Sequence, residues 1–455
     1  MTKRLVRKAE GSLLGLAIGD ALGTTLEFKA RDHYTPLTDM VGGGPFKLKA
    51  GEWTDDTSMA LCLAESLLDC KRHEPVDQLR RYLRWRDEGD NSVTGRCFDI
   101  GRTVDQALQN FKRGQQAYPG CQDEFSAGNG SLMRLAPIAL FYSTHVSRRE
   151  PASAGTQHLL EMAALSSMTT HRHPLAVAAC KVMALLIDHA IGQPVTDSQQ
   201  SDKSAILSFS VDERSYLGRL PPSIADIVAG SYRGKSRDEV ASSGYVVDSL
   251  EAALWAFWHG TDFAEGALLA ANLGGDADTI AAIYGQLAGA YYGVEGIPST
   301  WLNKLAWQER IRGMAQQLFA PCNPRLPQAN DVRALLEQMQ AVVDQDAETQ
   351  GSLLMDLAYA CGLMQADYLD QAVVRAMAWV APHEWEAASS DWDLEACCYL
   401  LTALVRSVRF SSIYGADGMA CEIQNGRVAI LLHRMANLID FSSFSFSSPV
   451  EECHD

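Results

Sequence analysis

Along the first 320 residues, apolar side chains return at three- and four-residue steps, most clearly over 58–70, 174–190, 247–259 and 279–293. Alternating runs of strand length are hard to find. The pattern predicts an all-α fold. Near the start, Gly11, Gly15, Gly19 and Gly23 recur at every fourth position. On a helix they form one stripe without side chains, against which a second backbone can pack closely. The apolar stretch that carries them is cut by Asp20, nine residues on from Gly11, too early for a membrane span or a cleaved leader. No other stretch approaches the roughly 18 apolar residues of a span, so no membrane contact is expected.

Beyond residue 320 the texture changes. Pro321, Pro324 and Pro327 fall within seven residues and cannot continue a helix, which places a domain boundary in 321–330. Helical spacing resumes over 331–343, 351–364, 368–380, 393–408 and 427–439, and a Ser/Phe tail follows over 441–448. The expected organisation is a domain over 1–320 and a second, mainly helical domain over 331–455. Charge separates the two: residues 321–455 hold 7 Arg, no Lys and 19 acidic residues. Apolar helical runs within such a composition predict a folded domain with an acidic surface rather than a disordered tail.

Of the 455 residues, 47% are apolar and 21% charged, the composition of a core-forming globular protein. The formal net charge of −17 leaves no basic footprint for a polyanion, which argues against nucleic acid as a partner. Eleven scattered cysteines, with no CxxC pair and no Cys/His set at metal spacing, read as reduced thiols of a cytoplasmic protein.

Two short acidic motifs carry the candidate chemistry. Thr54-Asp55-Asp56-Thr57 and Asp276-Ala277-Asp278-Thr279 each set two carboxylates and a threonine hydroxyl at the start of an apolar helix. Either motif alone reads as an N-cap, since Asp and Thr oxygens satisfy the first free N–H groups. Capping needs only one acceptor, whereas here four carboxylates and two hydroxyls can converge. Four such acids in one cleft repel unless cations neutralise them, and oxygen ligands without His or Cys select Mg²⁺ or Mn²⁺ over Zn²⁺. Paired ions of that kind suit a hydrolytic site.

A third segment, Gly128-Asn129-Gly130-Ser131, either presents backbone N–H groups to an anion or forms a plain turn. It matches neither a P-loop nor a dinucleotide fingerprint. His171 and His173 stand two apart without a third His or a thiolate nearby. That arrangement favours hydrogen bonding to a substrate, or a structural role, over metal ligation.

Seven motifs in one order tie these segments together. They are Gly15-Leu-Ala-Ile-Gly-Asp-Ala-Leu-Gly23 with Glu27, Trp53-Thr-Asp-Asp-Thr57, Gly95-Arg-Cys-Phe-Asp-Ile-Gly101, Gly128-Asn-Gly-Ser-Leu-Met-Arg134, Thr170-His171, Gly244-Tyr-Val-Val247 and Gly274-Gly-Asp-Ala-Asp-Thr279. Through them the chain, from about residue 8 to 318, resembles the ADP-ribosylglycohydrolases, in the branch of the bacterial dinitrogenase-reductase-activating glycohydrolase. The resemblance implies an all-α domain with two Mg²⁺ ions, or Mn²⁺, at the bottom of an ADP-ribose cleft. Thr54, Asp55, Asp56, Asp276, Asp278 and Thr279 match the family's metal ligands. Gly128, Asn129, Gly130 and Ser131 match the loop that holds the diphosphate and distal ribose, while His171 and Tyr245 match further substrate contacts. Asp99 matches a carboxylate with a catalytic role in that branch, and Glu27 falls near a mobile acid that some members use.

The activity implied is hydrolytic removal of ADP-ribose from a modified protein side chain, arginine before serine. The alternative is an immunity or binding protein that neutralises an ADP-ribosyltransferase toxin by occluding it, with or without hydrolysis, the acidic C-terminal domain being an extra contact surface. The stretch 197–243 is longer and more polar than a minimal family core, and the resemblance says nothing of 321–455.

Overall fold

The computed structural model describes residues 3–146, 152–193 and 199–320, and in the C-terminal part a few single positions and the helix Arg427–Leu438. The chain divides into two compact units, Met1–Cys322 and Asn323–Asp455. Among the described residues no strand forms, only three isolated bridges, and the first unit is an array of helices. The helices expected over 331–343, 351–364, 368–380 and 393–408, like the 441–448 tail, lie outside the described residues apart from isolated positions.

The first helix, Lys3–Gly23, is buried from Lys8 onward. Its most extensive neighbour is the helix Ala277–Tyr292. A Cβ added to Gly11, Gly15, Gly19 or Gly23 would collide with the backbone of Gly289, Gly285, Ala281 or Ala277 in turn. The partner helix thus carries small residues at the same four-residue step, and each step along one helix is a step back along the other. The two backbones touch in antiparallel register. That register sets Asp20, near the end of the first helix, beside Asp278, at the start of the second.

Two expected helices begin earlier than their apolar pattern, as Asp55–Cys70 and Ala277–Tyr292. Their acids therefore ride on first helical turns. Pro174–Gly192, with mean hydropathy 1.7, has the length and composition of a membrane span, which corrects the expectation that no stretch does. Here it serves as a core helix, with 72% of its apolar window buried, packed on Ala152–Met168 and Ala277–Tyr292. The polar 197–243 stretch contains three short α-helices, Gln199–Ile206, Val211–Leu217 and Pro222–Val228, followed by two 3-10 turns. Arg31 clamps the chain beyond the third: its guanidinium donates to the carbonyls of Arg237 and Val240, each at 2.6 Å, and of Leu273 at 3.1 Å. This clasp fixes the segment that leads into Ser242, Ser243 and Gly244 on the cavity wall.

Candidate active site

Two helix N-termini meet at a cavity of about 670 Å³, within the ~300–1,000 Å³ usual for small-molecule sites. Thr54 precedes one helix and Asp276 the other, yet neither side chain makes a cap hydrogen bond. The caps come from elsewhere in the chain. Asp20 accepts the backbone N–H groups of Thr54 and Thr57, at 2.8 and 3.0 Å, and both their hydroxyls, at 2.9 and 2.6 Å. Glu27 Oε2 accepts the N–H groups of Ala277, at 2.9 Å, and Asp278, at 3.4 Å. Of the four motif acids only Asp278 keeps a first-turn backbone bond, its Oδ1 accepting the Thr279 N–H at 2.7 Å, so capping does not account for the two motifs.

What they form instead is a crowded acidic cluster. Carboxylate oxygens of Asp20, Asp56 and Asp278 lie within 4.8 Å of one another, and so do those of Glu27, Asp276 and Asp278. Thr54 Oγ1, whose proton goes to Asp20, also lies 3.3 Å from both Asp56 Oδ2 and Asp278 Oδ2. Burial, followed by neighbouring acids, pushes Asp99 up to about 9 and Asp276 up to about 7. Asp55 and Asp56 are also driven well up by burial, with Asp99 and Asp20 respectively as the next cause, and Glu27 rises for the same reasons. Asp20 is raised to about 7 by burial and Asp278, although the four bonds it accepts favour its charged form. Among the described residues no Lys or Arg forms an ion pair with these acids. Asp56 Oδ1 is buried with no hydrogen-bond partner. An orphaned carboxylate oxygen among unneutralised acids, with only oxygen donors around it, is the environment a hard metal ion satisfies. The residues present fit such an ion.

The facing wall is built differently. Gly128 pairs with Tyr245 in a single antiparallel bridge, and Asn129 N–H donates to the Gly244 carbonyl at 3.1 Å. A Cβ on Gly130 would sit 3.0 Å from His171 Cε1, so this loop lies directly on the imidazole. Arg134, fully buried, donates to the Gly130 carbonyl at 2.8 Å and to Thr170 Oγ1 at 2.7 Å, and lies 4.7 Å from the centre of the Tyr82 ring. Thr170 Oγ1 is in turn 2.8 Å from His171 Nδ1. Arg134 can only donate, which leaves the Thr170 proton for Nδ1; the network thus assigns the ring proton to Nε2. Burial, then Arg134, lowers His171 to about 3, so the ring is neutral. Arg102 is the one Arg or Lys on the cavity wall, and it makes no ion pair or hydrogen bond among the described residues.

A family model described as ADP-ribosylglycohydrolase matches residues 1–328. The chain belongs to the ADP-ribosylglycohydrolase family. It is similar to the ADP-ribosylarginine hydrolase Tri1 of Pseudomonas putida (strain GB-1), 46% identical over 329 residues, which are 72% of this chain and 81% of that protein. It is also similar to the ADP-ribosyl-[dinitrogen reductase] glycohydrolase of Rhodospirillum rubrum, 34% identical, covering 69% of this chain and 96% of that one. A solved structure of an ADP-ribosylglycohydrolase-related protein complex superposes with a TM-score of 0.58 at 40% identity, over 70% of this chain and 99% of its own.

As a hydrolase of this metal-dependent family, the protein places most of its expected site residues on one cavity. Glu27, Asp55, Asp99, Gly128, Asn129, Gly130, His171, Asp276, Asp278 and Thr279 line it. Thr54 and Asp56 are buried beneath them. Ser131 lies behind the loop, its hydroxyl 2.8 Å from that of Ser167, and Tyr245 is off the lining, half exposed. The Asn129 amide is already committed: it donates to Ser249 Oγ at 2.8 Å and Asp276 Oδ2 at 2.6 Å. Besides wall residues such as Phe28 and Arg102, two buried positioning residues were not expected from the sequence, Asp20 and Arg134. Each is a lone charge in an otherwise apolar or small run of its own motif, and that isolation was the available signal.

Proposed function

We propose that this hydrolase removes ADP-ribose from arginine side chains of modified proteins. One observation carries the reading. A single cavity joins an unneutralised acidic cluster to a wall of glycine backbone, neutral imidazole and one free guanidinium. The first end suits cations and a developing positive charge, the second a diphosphate. The arginine acceptor is supported by the relative named as an ADP-ribosylarginine hydrolase.

Two Mg²⁺ ions, or Mn²⁺, held by Thr54, Asp55, Asp56, Asp276, Asp278 and Thr279, would supply Lewis acidity toward the ribose hydroxyls and a hydrolytic water. Asp278 belongs to both carboxylate groups, which supports two ions rather than one. The 128–130 backbone and His171 Nε2–H hold the diphosphate and distal ribose, and the Asn129 amide fixes the Asp276 carboxylate in place. Water adds to the anomeric carbon, the bond to the guanidinium nitrogen breaks, and the acids lining the cavity favour the positive charge that builds there. Asp99 and Glu27 are the two groups placed to move a proton at the departing nitrogen or the water. Glu27 Oε2 already serves two backbone N–H groups, so Asp99 is the freer of the pair.

The partner is thus an ADP-ribosylated protein, and the proposed location is the cytoplasm, in keeping with the free cysteines among the described residues. The occlusion alternative leaned on the acidic second unit, most of which lies outside the described residues, and neither relative named above carries a toxin in its name. The test is incubation with arginine- and serine-ADP-ribosylated proteins, with Mg²⁺ or with a chelator. Release from arginine in Mg²⁺ alone is expected. Release from serine only would overturn the acceptor, and release in excess chelator would overturn the metal.

A further inference from the structure

Phe28 follows Glu27 on the cavity wall, and it is 68% exposed. Its backbone sits at φ +60°, as does that of Asp99 on the same wall. A bulky residue adopts this left-handed conformation only where its surroundings impose it. For Phe28 the constraint is visible: its N–H donates to the Gly275 carbonyl at 2.8 Å, one residue before Asp276. The ring of Phe46 meets that of Phe28 edge-on at 6.2 Å, and Phe98, the neighbour of Asp99, contacts Phe46 at 5.1 Å. Three rings thus link the segments that carry the two candidate proton-transfer acids. Strain and an exposed large ring both oppose stability, so their coincidence beside the acids calls for a function.

An exposed aromatic ring that shares a cavity wall with carboxylates, as Phe28 does with Glu27 and Asp99, can receive a guanidinium. The planar, weakly hydrated cation stacks on the ring while its N–H groups reach the acids. We propose that the Phe28 ring is the platform for the guanidinium of the modified arginine, with Asp99 as its carboxylate partner, and that this pair sets the acceptor specificity. The inference rests on the arginine-directed reading above. The other exposed ring on the wall, Phe125, stands next to the segment that leads into Gly128. Arg102 adjoins Thr103, whose hydroxyl neighbours Gly128. Both belong to the nucleotide side, and Arg102 would repel a guanidinium.

The experiment compares wild type, Phe28→Ala, Phe28→Leu and Phe28→Tyr on a small ADP-ribosyl-arginine substrate, alongside calorimetric titration with ADP-ribose. Alanine and leucine should raise KM by about 10-fold, the scale of a desolvated cation–aromatic contact, with kcat less affected. Tyrosine, which restores the ring face, should restore KM. ADP-ribose affinity should be unchanged in all three, and inhibition by agmatine, a free guanidinium, should weaken with alanine and leucine only. An unchanged KM in Phe28→Leu overturns the platform, and so does a parallel loss of ADP-ribose affinity, which would mean a distorted cavity. Wild-type enzyme that leaves the arginine linkage intact overturns the arginine reading itself, and the platform with it.

Discussion

Asp20 and Thr57 are joined twice: Oδ2 of the acid accepts the backbone N–H of the threonine at 3.0 Å and its hydroxyl at 2.6 Å. Oδ1 makes the same pair of contacts with Thr54. Four donors from one helix start therefore converge on one side chain of the first helix, and the turn carrying Asp55 and Asp56 is held by it. Asp20→Asn keeps the shape but turns an amide nitrogen toward two of those donors. Metal affinity, followed by Mn²⁺ titration, should fall about 10- to 100-fold, as for other groups that orient metal ligands, and activity should fall with it. An Asn variant with wild-type Mn²⁺ affinity would mean that the clasp is structural only.

Removing a carboxylate from the cluster itself should separate function from stability. Asp55→Ala and Asp278→Ala should each abolish hydrolysis. The metal-free proteins should be as stable as wild type or slightly more so, because crowded like charges are relieved. Mg²⁺ at 100 times its Kd should stabilise wild type by about 2.7 kcal/mol and leave Asp278→Ala unmoved. Chelation should abolish activity, Mg²⁺ or Mn²⁺ should restore it, and Zn²⁺ should not. A large loss of metal-free stability in either variant, read by urea denaturation, would return these acids to a capping role.

Much of this site was legible in the sequence because its chemistry is local. Thr54, Asp55 and Asp56 are adjacent, as are Asp276, Asp278 and Thr279 within one turn, and helix periodicity put each group at a helix start. The glycine stripe announced a close backbone partner but could not name it, since Ala277, Ala281, Gly285 and Gly289 lie more than 250 residues away. Asp20 was invisible as a cap for the same reason: the donors it serves are 34 and 37 residues on. Tyr245 and Ser131 were placed by motif, and a motif cannot tell which side chain of a loop faces the cavity. The buried helix Pro174–Gly192 shows the limit of composition alone, because core and membrane reward the same residues.

The helix pair that delivers Asp20 to Asp278 should tolerate no added atom. Gly285→Ala drives a methyl into the Gly15 backbone, and the overpacking should cost at least about 1–3 kcal/mol and reduce activity by displacing the acids. Gly313, inside the helix Gln308–Leu318, meets nothing within 4 Å of an added Cβ. There alanine should stabilise by about 0.5–1 kcal/mol through helix propensity. Equal effects of the two substitutions on the urea midpoint would dismiss the close-packed register.

His171 should act as a neutral donor throughout the working range. Because it is held at about 3, it should contribute no inflection near its ordinary pKa to the pH–rate profile. His171→Ala should weaken ADP-ribose binding more than it lowers kcat. The same shift has a stability cost in acid. Its unfolded form takes up a proton as pH falls from about 6.5, while the folded form resists until about 3, so stability is full above that window and lost through it. His73, also lowered to about 3, with both ring nitrogens unpartnered, adds to the loss. His73→Leu should therefore flatten the decline of the urea midpoint between pH 6.5 and 4, and an unaltered slope would count against a buried neutral ring.

The second unit should be dispensable for the chemistry. Every residue of the cavity falls within Met1–Cys322, and a family member is matched over 96% of its length by 69% of this chain. A 1–320 fragment should therefore stay soluble and hydrolyse a small ADP-ribosyl-arginine substrate at the full-length rate. The acidic, lysine-free composition of 321–455 matters only if the modified protein presents a basic surface to it. In that case the fragment should be slower on intact ADP-ribosylated protein, and the deficit should shrink as salt rises toward about 0.5 M, because exposed charges are screened over roughly 10 Å or less above 0.1 M. Equal rates of fragment and full chain on the protein substrate would exclude recruitment. A fragment inactive on the small substrate would sink both versions and make the second unit part of the catalytic cleft.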